Sequence, residues 1–219
     1  MAKKLPAIMV DTSVLVSHFQ QYQCSRFQNA EHFPHLFLGD FIKREYHAVF
    51  ADCLAGLQAS VVASPEGQAR LRQTPLIRQL IWELHSPTTL RHLASVSGTQ
   101  ALLPDPFLVG GGIESWNNQK IQLPFLRHPV TDLYPVLRVE ILLAAESHAP
   151  SETAIRMPDE GESSTIKTMI PGQLFLSAVK ELSAIRSTVN GSAWSLVAFF
   201  YINDRARSLE ERQKAFEDY

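Results

Sequence analysis

The sequence predicts a mainly β protein with supporting α-helices, and three features carry that expectation. From Leu102 to Leu143, apolar runs of strand length are divided by the Gly110–Gly112 triplet and by a His128-Pro129 turn, so they read as successive strands of one sheet. Further β-rich runs follow Pro150, namely TIKTMIPGQLFLSAV, ELSAIRSTV and AWSLVAFFYI, with turns at Pro171-Gly172 and Asn190-Gly191. The Asn-Gly pair is a hairpin signal. In the first hundred residues, by contrast, apolar side chains recur mostly at helical spacing.

A chain of 219 residues, 45% apolar, can bury a sizeable core as one domain spanning 1–219. The formal charge of −2, with acidic and basic residues interspersed, leaves no basic face for nucleic acid and no polybasic run for a membrane. Cys24 and Cys53 make neither a metal-ligand spacing nor a disulfide framework, which points to a reducing cytoplasm. The apolar run before Asp11 is too short for a secretory signal or a membrane span.

In chain order, Pro6–Val10 suits a strand, and a helix follows an Asp11 or Thr12 cap. A strand at His35–Leu38 ends at Gly39-Asp40. Phe41, Tyr46, Val49, Phe50 and Leu54 then fall on one core-facing helical stripe. Leu57–Gln73 is rich in Ala, Ser, Gly and Gln and reads as a looser, exposed connection in which LQASVVAS suits a short strand. Two helices follow, divided at Ser86-Pro87, with Leu76, Leu80, Trp82, Leu84, Leu90, Leu93 and Val96 as their apolar faces. His32 and His35 are structural, and His85 and His92 are helix-surface or helix-end residues. Ser147–Ser164 is polar and acidic, a surface excursion holding a short TAIRM strand, and 204–219 form a charged C-terminal helix.

This order of parts resembles the iron- and 2-oxoglutarate-dependent dioxygenases, specifically their prolyl-hydroxylase-like group. The resemblance rests on Phe33-Pro34-His35-Leu36, Asp40-Phe41 and the long helix after it, the paired helices leading to Leu102–Pro106, the triple glycine, and Phe125, Arg127, His128 and Pro129. It continues through Ile170-Pro171, Leu174-Phe175, Gly191 and Trp194-Ser195-Leu196, covering about 33–201. It implies a double-stranded β-helix, a jelly-roll or cupin-like pair of sheets, buttressed by N-terminal helices. It also implies an iron site and a 2-oxoglutarate site. On this frame, the family's iron-binding His and Asp fall on Gln122 and Pro124, its distal His on or near Ala184, and its oxo-acid arginine on or near Ala193. No histidine follows Pro150 at all. Both cofactors are therefore expected to be lost.

Arg186 is the basic residue nearest the lost arginine position, and an exposed strand-end role is expected for it. A replacement metal site from His128, His148, Glu114, Asp132 and Glu140 is disfavoured by their spacing. Strand alternation places Arg138 and Glu140 on one face and Leu137, Val139 and Ile141 on the other, so Arg138 and Glu140 form a surface or pocket pair. No Gly-x-Ser-x-Gly, phosphate loop, Cys-x-x-Cys or His-Glu-x-x-His motif is present.

Three functions fit. The first is a pseudo-oxygenase that partners an active homologue, or a second copy of itself, in small-molecule biosynthesis. The second is a metal-independent enzyme for cyclisation, isomerisation or elimination, with Glu114, Gln122, Arg138 and Glu140 as acid, base or orienting groups. The third is a binding protein for a small molecule in the vacated pocket.

Overall fold

Alternation of apolar and polar side chains along 134–145 builds the strand at the centre of the molecule. The computed structural model describes residues 8–11, 14, 27–30, 33–99, 101–105, 108–116, 121, 128–129, 131, 133–145, 153–158, 164–179, 185–188 and 193–202. Among them the strands are β1 (His35–Leu38), β2 (Leu103–Pro104), β3 (Gly112–Ser115), β4 (Tyr134–Ala145), β5 (Thr153–Pro158), β6 (Ser164–Thr168), β7 (Leu174–Ala178), β8 (Ile185–Thr188) and β9 (Ala193–Ile202). A 3₁₀ turn at Arg44–Tyr46 opens helix α1 (His47–Leu54), followed by α2 (Ala59–Val62), α3 (Pro65–Gln73), α4 (Pro75–Leu84) and α5 (Pro87–Ser97).

Two antiparallel sheets result. One has the order β1-β7-β4-β9-β2, with β3 also pairing β9, and the other has the order β6-β5-β8. The outer face of the larger sheet carries Leu137, Val139, Ile141, Leu174, Leu176, Leu196, Ala198 and Phe200, which share one core with Phe50, Leu54, Ile77, Leu80, Leu84 and Leu93 of the helices. The inner face meets the smaller sheet. Phe175 and Leu142 from one side pack with Ile155 and Met157 from the other, over Phe33, Trp116 and Met169. The expected mainly β architecture with buttressing helices is thus present, as two facing sheets that do not close into a barrel.

Helix boundaries follow local chemistry. The Ser64 hydroxyl accepts the Gly67 N–H at 3.0 Å ahead of Pro65, and the Ser86 hydroxyl accepts the Thr89 N–H at 3.2 Å ahead of Pro87. Helix α5 stops at Gly98, whose φ of 67° suits a residue without Cβ. A Cβ on Gly111 would run into the Val197 carbonyl oxygen, so glycine there lets the chain close onto β9.

Several expectations need correction. Leu57–Gln73 is not a loose connection but α2 and α3, and its Ser64-Pro65 start signal is visible in the sequence. The Gln68 side chain also donates to the Ile113 carbonyl at 2.6 Å and accepts the Ile113 N–H at 3.1 Å, pinning α3 to β3 like a short extra strand pair. Two members of the helical stripes face water, Val49 at 36% and Trp82 at 83% exposure. The Ser147–Ser164 stretch is not a mere surface excursion, because Ile155 and Met157 of β5 are core residues and β5 is the middle strand of its sheet. The Asn190-Gly191 signal does not make a sheet hairpin, since β8 pairs β5 while β9 pairs β4. The connection carries the chain from one sheet to the other.

At the N-terminal side, Val10 bridges Ile42, and the N–H groups of Met9 and Val10 donate to Glu83 Oε2 at 2.7 and 2.8 Å. The rest of the expected N-terminal strand and helix, and the C-terminal helix, lie outside the described residues. No described helix is long and apolar enough to cross a membrane.

His85, at the end of α4, has its ring edge-on to Phe200 at 5.6 Å, and its buried Nε2 has no hydrogen-bond partner among the described residues. It is a helix-end residue, as expected, but its ring is turned inward. Burial pulls its pKa from 6.5 down to about 4, against a smaller lift from Asp105. The unfolded chain therefore binds the proton more readily than the fold between those values, so stability is full above about pH 6.5 and falls as pH drops toward 4. The loss amounts to roughly 3 kcal/mol. In urea titrations across this range, His85→Leu should flatten the acid slope while leaving stability near pH 7 within about 1 kcal/mol.

Candidate functional site

The site is built on the inner face of the larger sheet, where alternation turns Arg138 and Glu140 away from the helices as expected. Arg138 Nη1 donates to Glu140 Oε2 at 2.7 Å, with the two side chains 1% and 0% exposed. Of the surface and pocket alternatives, the pocket pair is the one formed.

This pair is half of a larger group. Arg186, from β8 of the opposite sheet, points Nε at Glu140 Oε1 at 2.9 Å and Nη2 at Glu114 Oε2 at 2.5 Å. The Ser195 hydroxyl donates to Glu140 Oε1 at 2.6 Å. Ser195 comes within reach because it sits directly opposite Glu114 on β3 and Leu142 on β4. The expectation of an exposed strand-end Arg186 is therefore wrong. The side chain is 10% exposed, since the carboxylates that hold it belong to the facing sheet.

Two guanidinium groups and two carboxylates make the group neutral. Burial by itself would raise the Glu140 pKa, but Arg138 and Arg186, helped by the Ser195 hydroxyl, hold the carboxyl below its ordinary range. For Arg138 burial outweighs the lift from Glu140 and lowers the pKa. For Arg186, burial is outweighed by Glu140 and Glu114, and its pKa rises. Exposure grows outward from Arg138 and Glu140 to Glu114, which is 32% exposed.

The polar group stands beside an aromatic wall. Phe37 stacks on Phe175 at 4.7 Å, and His35 lies 5.1 Å from Phe33 and 6.1 Å from Phe175. Of the sequence-derived site residues, Glu114, Arg138 and Glu140 come together here. Gln122, Pro124 and Ala184 lie outside the described residues. Ala193, on or near which the resemblance places the oxo-acid arginine, is buried in an apolar cluster that includes Trp116 and Phe33. His128 keeps the scaffold role expected of it. Its Nδ1 accepts the Thr131 N–H at 3.1 Å, its Nε2 lies 3.3 Å from Asp105 Oδ2, and its ring meets Tyr201 edge-on.

Sequence reasoning missed Ser195 and the burial of Arg186. Ser195 shares the strand period with Val197 and Phe199, and that was the available signal. Among the described residues no group of three or more His, Cys, Asp or Glu converges. The carboxylates of Glu114 and Glu140 are directed at arginines.

The fold is that of the 2-oxoglutarate–Fe(II) oxygenases. An oxidoreductase of that family from Burkholderia pseudomallei superimposes with a TM-score of 0.52 at 11% identity, over 89% of this chain and 93% of its own. A prolyl 4-hydroxylase from Phytophthora capsici gives 0.59 at 9% identity, over 90% and 69%. SnoK, a non-heme α-ketoglutarate-dependent carbocyclase from nogalamycin biosynthesis, gives 0.50 at 13% identity, over 80% and 83%. In sequence, no family model matches the chain, and no curated protein does.

Truncating Glu140 strands two buried guanidinium groups, so Glu140→Ala should destabilise the fold by about 3–5 kcal/mol. Glu114→Ala, at the partly exposed end, should cost about 1 kcal/mol or less. Chemical denaturation of the two variants checks the ordering, and equal costs would mean that the inner pair is solvated.

Proposed function

We propose that this chain is a non-catalytic relative of the 2-oxoglutarate oxygenases that serves as an accessory subunit of an active homologue. The observation that carries the reading is the self-neutralised interior. A carboxylate supplied by the chain, Glu140, already takes the donors of Arg138, Arg186 and Ser195. An oxo-acid dianion would have to break these contacts and would bring charge that no further buried arginine or lysine among the described residues balances. Gln122, Pro124 and Ala184, where the family resemblance expects the iron ligands, support loss of iron. So does the buried methyl of Ala193 for loss of the oxo acid.

Partnership is supported by Trp82. This indole is 83% exposed on a helix whose opposite face is core, and it borders a surface depression of about 510 Å³ with Pro75, Arg78, Gln79 and Glu83. Large exposed aromatics of this kind anchor protein interfaces. The SnoK likeness supports a setting in small-molecule biosynthesis.

The metal-independent enzyme is the weaker reading. Glu140 is held ionised with both oxygens engaged, which suits an orienting group and not a general base.

Two measurements test the proposal. Calorimetry under anaerobic conditions should find no stoichiometric Fe(II) binding, and the protein should not consume 2-oxoglutarate; tight one-to-one binding would overturn the loss of iron. Co-expression with an iron-ligand-bearing homologue from the same host should yield a stable complex, with Trp82→Ala weakening it about tenfold or more and leaving the melting temperature unchanged. A monomer indifferent to the homologue would remove the accessory role.

A further inference from the structure

We propose that two copies of this chain pair edge to edge through β6, extending the smaller sheet across a two-fold axis at Ile166. β6 is the outer strand of the order β6-β5-β8, and its register against β5 sets Ile166 opposite Arg156 and Lys167 opposite Ile155. The Met169 N–H donates to the Thr153 carbonyl at 2.8 Å in the same register. Hydrogen-bonded and non-hydrogen-bonded pairs alternate along an antiparallel ladder. Counting back from Met169, Lys167 and Thr165 therefore turn their backbone groups toward β5, and Thr168, Ile166 and Ser164 turn theirs outward. The outward N–H and C=O groups of Ile166 and Thr168 bond to no described residue.

The edge suits a strand. Its five residues, Ser-Thr-Ile-Lys-Thr, are rich in β-branched side chains, include no proline, show no register shift against β5, and carry Ile166 at 52% exposure. Open strand edges are ordinarily blunted, because they template pairing with another chain. The one charge within β6 is Lys167, which is exposed, and it fits the edge to a second copy. With Ile166 on the axis, all five residues find partners: Ile166 meets Ile166 of the second copy in a hydrogen-bonded pair, Thr168 meets Ser164, and Lys167 meets Thr165. Opposite residues share a face, so the two exposed isoleucines cover each other and each lysine stands across from a hydroxyl. Sliding the axis to Lys167 would set two lysines directly opposite, where like charges are destabilising. A contact of this self-complementary kind consumes the edge of both copies, so growth stops at the dimer. This inference goes beyond the accessory-subunit reading and does not rest on it, since Trp82 lies on α4, which packs on the larger sheet, and β6 belongs to the smaller one.

The test is analytical ultracentrifugation of the full-length chain, with circular dichroism as the check that each variant folds. Wild type should pass from monomer to dimer with a dissociation constant on the order of 10–100 µM, in keeping with a small interface. Ile166→Pro removes an outward N–H and no bond to β5, so it should weaken the dimer about tenfold or more. Ile166→Lys and Ile166→Glu should each do the same, because like charges would then meet on the axis, and mixing the two should restore a one-to-one dimer. These two variants carry the test if the proline variant does not fold. The proposal is overturned if wild type stays monomeric at ~1 mM, if Ile166→Lys dimerises as well as wild type, if the mixture of charged variants stays monomeric, if association runs on past the dimer, or if β6 captures an active homologue in preference to a second copy. Trp82→Ala should leave this dimer unchanged while weakening the complex with the homologue, so the two readings can fail independently.

Discussion

A single carboxylate, that of Glu140, sits fully buried between two sheets and is neutralised from both. Arg138 reaches it from two residues earlier on its own strand, and Arg186 reaches it from the facing sheet. Removing either charge from water costs several kcal/mol, and only close geometry with further hydrogen bonds recovers it. Ser195 supplies one such bond and Glu114 closes the set toward solvent. The spacing and relative slide of the sheets are therefore tied to a few polar contacts amid the apolar packing of Phe175, Leu142, Ile155 and Met157.

On the other side of the larger sheet the logic is simpler. Leucine, isoleucine and phenylalanine side chains of β4, β7 and β9 meet the apolar stripes of α1, α4 and α5, and that core asks only for complementary shape. Specific tethers then fix the helices. Gln68 binds the backbone of β3, and Glu83 gathers the N–H groups of Met9 and Val10. The same sheet thus presents an inert, close-packed face to the helices and a polar, charge-balanced one to its partner sheet.

On that inner face the charges are satisfied mainly by one another, so the group as a whole carries no net charge. Within it, Arg138 Nη2 and Ser177 Oγ have no hydrogen-bond partner among the described residues. The polar group is thus balanced within itself, each buried charge answered by another of the chain's own.

What the sequence by itself determined was local. Alternation in LRVEILL put Arg138 and Glu140 together on the face opposite Leu137, Val139 and Ile141, because strand pleating has a fixed period of two. Ser86-Pro87 divided two helices, because a capping hydroxyl and a proline act within one turn. Ser64-Pro65 carried the same signal, obscured by the polar composition around it. Only the tertiary structure decided the rest. Arg186 is buried because Glu140 lies 46 residues away in sequence on another sheet, with Glu114 farther still, and no local pattern encodes that approach. Trp82 looked like core by helical period but faces water, since the width of a helix's buried stripe is set by what packs on it. The Asn190-Gly191 sequence signal could not reveal that its flanking strands belong to different sheets, because strand pairing is a choice made between distant segments.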